Sequence, residues 1–199
     1  YMYQKSEAGK YAGDFHFGDW LFYRPNDDND GRAAVTSKEL IAQCFYARST
    51  EILRNTATLL GKQEEAAEYN QRLEQIKKVF LEEFATANGR LISDTQTAYV
   101  LALAFDMFPA SLRQQAADRL VKNIKSYGTH LTTGFLGTPY LCHVLSENGY
   151  NDVAVELLLQ KTYPSWLYPI TQGATTIWER WDGIKQDGST QTPSMNSYN

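Results

Sequence analysis

Apolar positions fall into a helical rhythm from Thr36 onward, and the helices it predicts are of two kinds. The first runs from Thr36 to about Leu60, opened by a capping box in which Thr36 stands three residues before Glu39. Gly61 closes it in the C′ position that helices favour. The second, Gln63 to about Ala85, is far more charged. Its apolar residues Ala67, Leu73, Ile76, Val79, Phe80 and Phe84 recur near the helical period, so one face is buried and the other wet. Asn88-Gly89 ends it with a turn signal.

A third helix is expected from about Asp94 to Phe108. It carries no charge between Thr95 and Phe105, which implies burial on most sides. Pro109 stops it, and Ser111 caps a fourth helix that runs to about Tyr127 with Ala117, Leu120, Val121 and Ile124 as its inner stripe. Gly128 terminates that one. A fifth starts in TTGFLGTP, passes through Tyr140 and Leu145, and ends at Asn148-Gly149. Asn151 or Asp152 caps a sixth, ending near Gln160. A long non-repetitive stretch, YPSWLYPITQGATT, leads to a short helical piece, IWERWD.

Sparse and dense charge therefore alternate from helix to helix. Buried and half-exposed antiparallel helices joined by short turns describe a helical toroid or a solenoid, but a solenoid repeats its sequence every ~34–47 residues and no such repeat is visible. The loops FGDWLFYRPNDDNDG, YGTHLTTGFLGTP and YPSWLYPITQGATTIWERWD precede or open the sparse helices and are rich in aromatic, Gly and Thr residues. Functional loops on one rim of a rigid scaffold fit that placement. The predicted fold class is all-α: part of an (α/α)6 barrel of paired inner and outer helices, roughly half of a full toroid.

Composition narrows the function. At 199 residues, 43% hydrophobic and 13% aromatic, the chain can bury enough surface to fold. A net charge of −4 gives no basic face for nucleic acid or an anionic membrane. No apolar run approaches the ~18 residues that would span a bilayer. Cys44 and Cys142 lie far apart in apolar helical segments and read as buried free thiols. The chain opens YMYQKSEAGK without a signal peptide and stops at MNSYN after a Gly/Ser/Thr/Pro-rich loop, so a fragment of a longer protein is expected, as one stretch from 1 to 199.

Aromatics beside carboxylates suit a carbohydrate cleft, because sugar rings stack their C–H faces on Trp and Tyr while their hydroxyls need acids, amides, His and Arg. All four tryptophans, Trp20, Trp166, Trp178 and Trp181, lie in the three loops. Core packing is the alternative for each, but Trp20 and Trp181 adjoin acids. Glu179 stands between Trp178 and Trp181, where apolar neighbours can tune a proton acceptor. It is either a catalytic carboxylate or half of an ion pair with Arg180 or Arg24. Asp19 is either a ligand of sugar hydroxyls or the cap of a turn. His130 lies in a rim loop and could bind a hydroxyl; His16 neighbours the GDW segment, and His143 reads as a satisfied core histidine. Asp27, Asp28, Asp30 and Gly31 mimic a calcium loop, but position 38 is Lys rather than an acid, so a solvated turn is expected. No zinc-protease, nucleophile-elbow, P-loop or dinucleotide motif is present.

FGDWL, the paired helices, QTAYVLALAF, HLTTGFLGTPYL, YPSWLYPITQGATTIWERWDG and MNSYN, in that order over nearly the whole chain, resemble the bacterial α-L-rhamnosidases among the inverting (α/α)6 glycoside hydrolases. The resemblance implies that Glu179, the Glu of WERW, is the general base and that Trp20 lines the rhamnose pocket. Asp19, His130 and Trp181 then join Trp20 as candidate substrate-binding residues. No metal or organic cofactor is implied. The partners are a rhamnose-containing glycoside or polysaccharide side chain and the remainder of the parent polypeptide, in a periplasmic or extracellular setting. The family's general acid, a Glu in an Arg-Asp-Glu motif upstream of GDW, has no counterpart before Asp19, and the family's sugar-contacting His follows SYN. A chain with the base and without the acid is expected to be inactive alone. Another (α/α)6 glycosidase, trehalase- or glucosidase-like, and a non-catalytic carbohydrate-binding module are the alternatives.

Overall fold

The computed structural model describes residues 6–11, 13, 15–23 and 35–191. Within them, strands β1 (Ser6–Glu7) and β2 (Lys10–Tyr11) precede helices α1 (Lys38–Leu59), α2 (Gln63–Phe84), α3 (Gln96–Ala104), α4 (Ala110–Ser126), α5 (Thr138–Glu147), α6 (Asn151–Leu159) and the short α7 (Tyr168–Thr171).

The helices pack as three hairpins, α1 on α2, α3 on α4 and α5 on α6, with α3 touching both α1 and α5. The alternation of charge explains this order. Every residue of α3 from Gln96 to Leu103 is buried, which its uncharged sequence requires. The denser helices bury one stripe each: Leu73, Ile76, Val79, Phe80 and Phe84 on α2, and Ala116, Ala117, Leu120, Val121 and Ile124 on α4. Phe105, just past α3, joins the row of inner helices, with its ring 5.2 Å from Phe45 of α1 and 5.2 Å from Tyr140 of α5. Each aliphatic side chain so enclosed contributes about 1.5–3 kcal/mol.

Hairpin ends follow local chemistry. After α1 the Lys62 amide reaches back to the Ala57 carbonyl and the Gly61 amide to Thr58, a Schellman ending. Gly61 takes φ +71°, which a side chain would resist. The same backbone pattern ends α5, where the Tyr150 amide bonds the Leu145 carbonyl.

Several boundaries differ from the sequence reading. Ser37, not Thr36, caps α1: its hydroxyl accepts from the Leu40 amide and also contacts Glu39. The Thr36 hydroxyl instead bonds that of Thr95, the cap of α3, at 2.7 Å, tying the starts of two inner helices together. The third helix ends at Ala104, because Asp106 takes φ +54°. Pro109 rather than Ser111 occupies the cap of α4, and Tyr150 the cap of α6. IWERWD is not helical; the helix of that region is α7, where Pro169 fits the first turn. The β1–β2 hairpin, with Ser6 opposite Tyr11, was not foreseen. It is fixed by buried Gln43, whose Oε1 accepts from the Tyr11 amide and whose Nε2 donates to the carbonyls of Gly9 and Ile76.

Candidate active site

The starts of α3 and α5 are bound to the GDW loop by one side chain. Asp19 is 5% exposed. Its Oδ2 accepts from the Thr97 hydroxyl and from the Gly134 amide at 2.8 Å. Its Oδ1 accepts from the amides of Leu136 at 2.8 Å and Gly137 at 3.2 Å. Burial pushes its pKa above the ordinary carboxylate value, and the Thr97 hydroxyl and the Gly134, Leu136 and Gly137 amides pull it back without reversing the direction. Of the two sequence alternatives for Asp19, this geometry has the form of the second, a cap reached across the fold.

Asp19 faces inward while its neighbour faces out. Trp20 is 41% exposed, and its carbonyl accepts from the Phe135 amide at 2.9 Å. Phe17 packs edge-on to the Trp20 ring at 5.5 Å, and Phe15 edge-on to Phe17 at 5.2 Å. A Cβ on Gly134 would strike the Trp20 carbonyl oxygen and lie 2.7 Å from the Asp19 oxygen and the Phe22 nitrogen, so only glycine lets the two loops approach this closely.

The third loop joins the same turn. The Trp181 indole donates to the Thr133 carbonyl at 3.0 Å, and its ring stands edge-on to Trp166 at 5.7 Å. Glu179 is half-buried on this non-helical segment, two residues before Trp181. Arg180 Nε bonds Asp182 at 3.0 Å, and Gln191 holds the other Asp182 oxygen at 2.7 Å. The structure thus brings Asp19, Trp20, Thr133 and Trp181 into one connected cluster, and Glu179 precedes Trp181 by two residues in the chain.

His130 has both ring nitrogens engaged by protein, Nδ1 with the Tyr127 carbonyl at 3.0 Å and Nε2 with the Thr162 hydroxyl at 2.8 Å. The carbonyl can only accept, so Nδ1 carries the proton and a neutral ring accepts from Thr162. The ring links two rim loops in this arrangement. His16 does likewise nearer the GDW turn, accepting from the Gly18 amide at Nδ1 and donating to the Lys38 carbonyl at 3.1 Å. His143 is exposed on α5, not a core histidine, because α5 buries only Leu141, Val144 and Leu145. Cys44 is buried, whereas Cys142 is only half-buried; both are free. Arg24, the Asp27–Gly31 run and MNSYN lie outside the described residues.

The sequence did not single out Thr97 or Gln96, which read as core of an uncharged helix. Gln96 Nε2 donates to the His130 carbonyl and its Oε1 accepts from the Thr132 amide, so it templates the loop leading into α5. The available signal was three polar residues, Thr95, Gln96 and Thr97, opening an otherwise apolar helix. A separate groove of about 590 Å³, lined by Ser6, Tyr46, Glu68, Arg72 and Gln75 among others, shares no residue with this cluster. Among the described residues no group of three or more His, Cys, Asp or Glu could hold a metal ion.

Three helical hairpins with an aromatic and acidic rim match one family over their whole length: the bacterial alpha-L-rhamnosidase 6 hairpin glycosidase domain, across residues 1–199. The chain belongs to that family. It is 46% identical over 183 residues to an α-L-rhamnosidase of Streptomyces avermitilis, covering 92% of this chain and 17% of that protein. It is 44% identical over 188 residues to one of an Alteromonas species, covering 92% and 20% respectively. The structure superposes on the S. avermitilis α-L-rhamnosidase complexed with L-rhamnose with a TM-score of 0.89 at 43% identity, covering all of this chain and 18% of that one. Against the native enzyme of Aspergillus terreus the TM-score is 0.86 at 40% identity, covering 94% of this chain and 22% of that one. The chain therefore spans about a fifth of the length of the curated relatives it matches. Its α1–α6 are a part of the six-hairpin glycosidase domain, as the motif resemblance implied, and the alternation of charge already pointed to paired helices.

Proposed function

We infer that the protein carrying this chain hydrolyses terminal α-L-rhamnosides with inversion of configuration. The observation that carries this reading is the match to the rhamnosidase family over residues 1–199. It is supported by Glu179, the acid of the WERW segment, lying two residues before Trp181, whose indole is bonded to the Thr133 turn. The S. avermitilis relative was solved with L-rhamnose, which supports a rhamnose-containing substrate.

An inverting glycosidase uses two carboxyl groups ~6.5–9.5 Å apart, leaving room for a water between base and sugar. Glu179 takes a proton from that water as its oxygen attacks the anomeric carbon. A second carboxyl group, in a part of the enzyme outside this chain, protonates the departing glycosidic oxygen as the bond to carbon breaks. The half-exposed Trp20 ring offers a stacking face for the apolar side of the sugar, and Trp181 holds the Glu179 segment to the Thr133 turn. On this reading the 199-residue chain by itself is expected to turn over about 10²–10⁴-fold more slowly than the longer protein, the factor that general acid catalysis supplies.

The test is release of p-nitrophenol from p-nitrophenyl α-L-rhamnoside by the longer protein, with L-rhamnose anomers followed by NMR. Glu179→Gln is expected to lower kcat at least ~100-fold with KM largely kept. Undiminished turnover in Glu179→Gln removes the assignment of the base. Cleavage of a glucoside or trehalose in place of the rhamnoside would move the enzyme to another six-hairpin activity.

A further inference from the structure

We propose that Asp19 is a positioning residue whose carboxylate clamps the 134–137 turn to the 18–21 turn, fixing the Trp20 ring without touching substrate. The inference rests on reading Trp20 as a sugar-stacking residue, and it goes beyond that reading in assigning how the ring is held.

The clamp follows from acceptor arithmetic. A carboxylate has about four lone-pair sites. Asp19 fills them with the Thr97 hydroxyl and the amides of Gly134, Leu136 and Gly137, two donors to each oxygen. None is left for a sugar hydroxyl, and the residue is buried. The receiving end requires an anion. Helix α5 has ten residues, starts at Thr138 with Gly137 as its N-cap residue, and has no side chain of its own capping it. Free amides and the positive end of a helix dipole favour a carboxylate there, and Asp19 supplies it from 118 residues away.

The GDW turn, in turn, needs holding. Gly18 and Leu21 both lie in the left-handed region, at φ +72° and +61°. For a bulky residue such as Leu21 this conformation persists only where the surroundings over-determine it. The Phe135 amide on the Trp20 carbonyl and the Tyr23 amide on the Thr132 carbonyl flank the strained residue. Directly before the 134–137 turn stands Thr133, whose carbonyl receives the Trp181 indole. One turn, anchored by Asp19, therefore sets Trp20 on one side and the Glu179 segment on the other.

Thr97 makes the proposal testable, because it is 2% exposed and reaches the carboxylate from within the buried start of α3. In the longer protein acting on p-nitrophenyl α-L-rhamnoside, Asp19→Asn and Thr97→Val are each expected to raise KM roughly ten-fold or more, the factor that follows from losing a hydrogen bond to a charged group. Thr97→Ser, which keeps the hydroxyl, restores KM, and the double variant loses little beyond Asp19→Asn because both act through one contact. Hydrogen exchange of the Gly134, Leu136 and Gly137 amides in Asp19→Asn speeds up about ten-fold or more, while α4 keeps its protection.

A normal KM in Thr97→Val beside a lost one in Asp19→Asn makes Asp19 a direct ligand and overturns the proposal. A lowered melting temperature with KM unchanged in both variants also overturns it, by reducing Asp19 to a stabiliser of the fold. If Asp19→Asn does not fold, the Thr97→Val and Thr97→Ser pair decides. If the unsubstituted protein does not cleave rhamnosides, the functional reading falls by itself, and unchanged exchange of the three amides is then what sinks the clamp.

Discussion

Single side chains in this protein are defined by what encloses them. Cys44 and Cys142 have the same chemistry, yet burial lifts the Cys44 thiol far above its ordinary pKa and the half-buried Cys142 less steeply. The thiolate is the reactive form and needs access. Ellman's reagent should therefore label Cys142 first in the native protein and Cys44 only after denaturant is added; labelling at equal rates would contradict the enclosure of Cys44. Trp20 and Asp19 make the same contrast between neighbours, one side chain outward and the other saturated inward. In the sequence Trp20 stands out because it adjoins an acid, and Asp19 because a carboxylate can bind sugar hydroxyls or cap a turn. Which of the two acts on a ligand depends on donors more than a hundred residues away, and no local pattern carries that information.

Elements were legible where their own side chains decide them. The uncharged run of α3, the amphipathic stripes of α2 and α4 and the glycine after α1 follow from periodicity and backbone freedom, and the helices stand where that reasoning puts them. The exception is on α2, which buries Ala66 and exposes Ala67, the residue that the periodicity places on the buried face. Ends were less legible, because two neighbouring hydroxyls compete for a cap. Ser37 takes the cap of α1, and Thr36 is drawn off to Thr95. Replacing Ser37 with Ala should cost about 1 kcal/mol of stability, measured by chemical denaturation, as loss of an N-cap does. No loss of stability would return the cap to Thr36. IWERWD has helix-compatible residues, but Trp181 is held to the distant Thr133 carbonyl, and the segment follows that tertiary bond instead.

At the scale of the molecule, three hairpins bury one continuous core and leave other apolar positions in solvent. Ile52, Leu53 and Leu59 on α1 and Val155, Leu158 and Leu159 on α6 are exposed, with Leu59 at 88%. Apolar surface on this scale is a self-association liability. The 199-residue chain by itself should sediment as oligomers and enhance anilinonaphthalene sulfonate fluorescence; a dilute monomer without dye binding would show that these side chains are harmless singly.

The sequence by itself determined the helical class, the pairing of sparse with dense helices and the loops that carry the chemistry, because hydrophobic period, charge density and turn residues act over a few positions. It also brought out the rhamnosidase likeness through WERW and GDW. Only the tertiary structure decided that Gln43 holds a hairpin, that His130 spends both nitrogens on loop contacts and that Asp19 caps a helix it does not belong to. Each of these depends on hydrogen-bond partners distant in the chain, and satisfying buried polar groups is settled by how the elements meet rather than by any one of them.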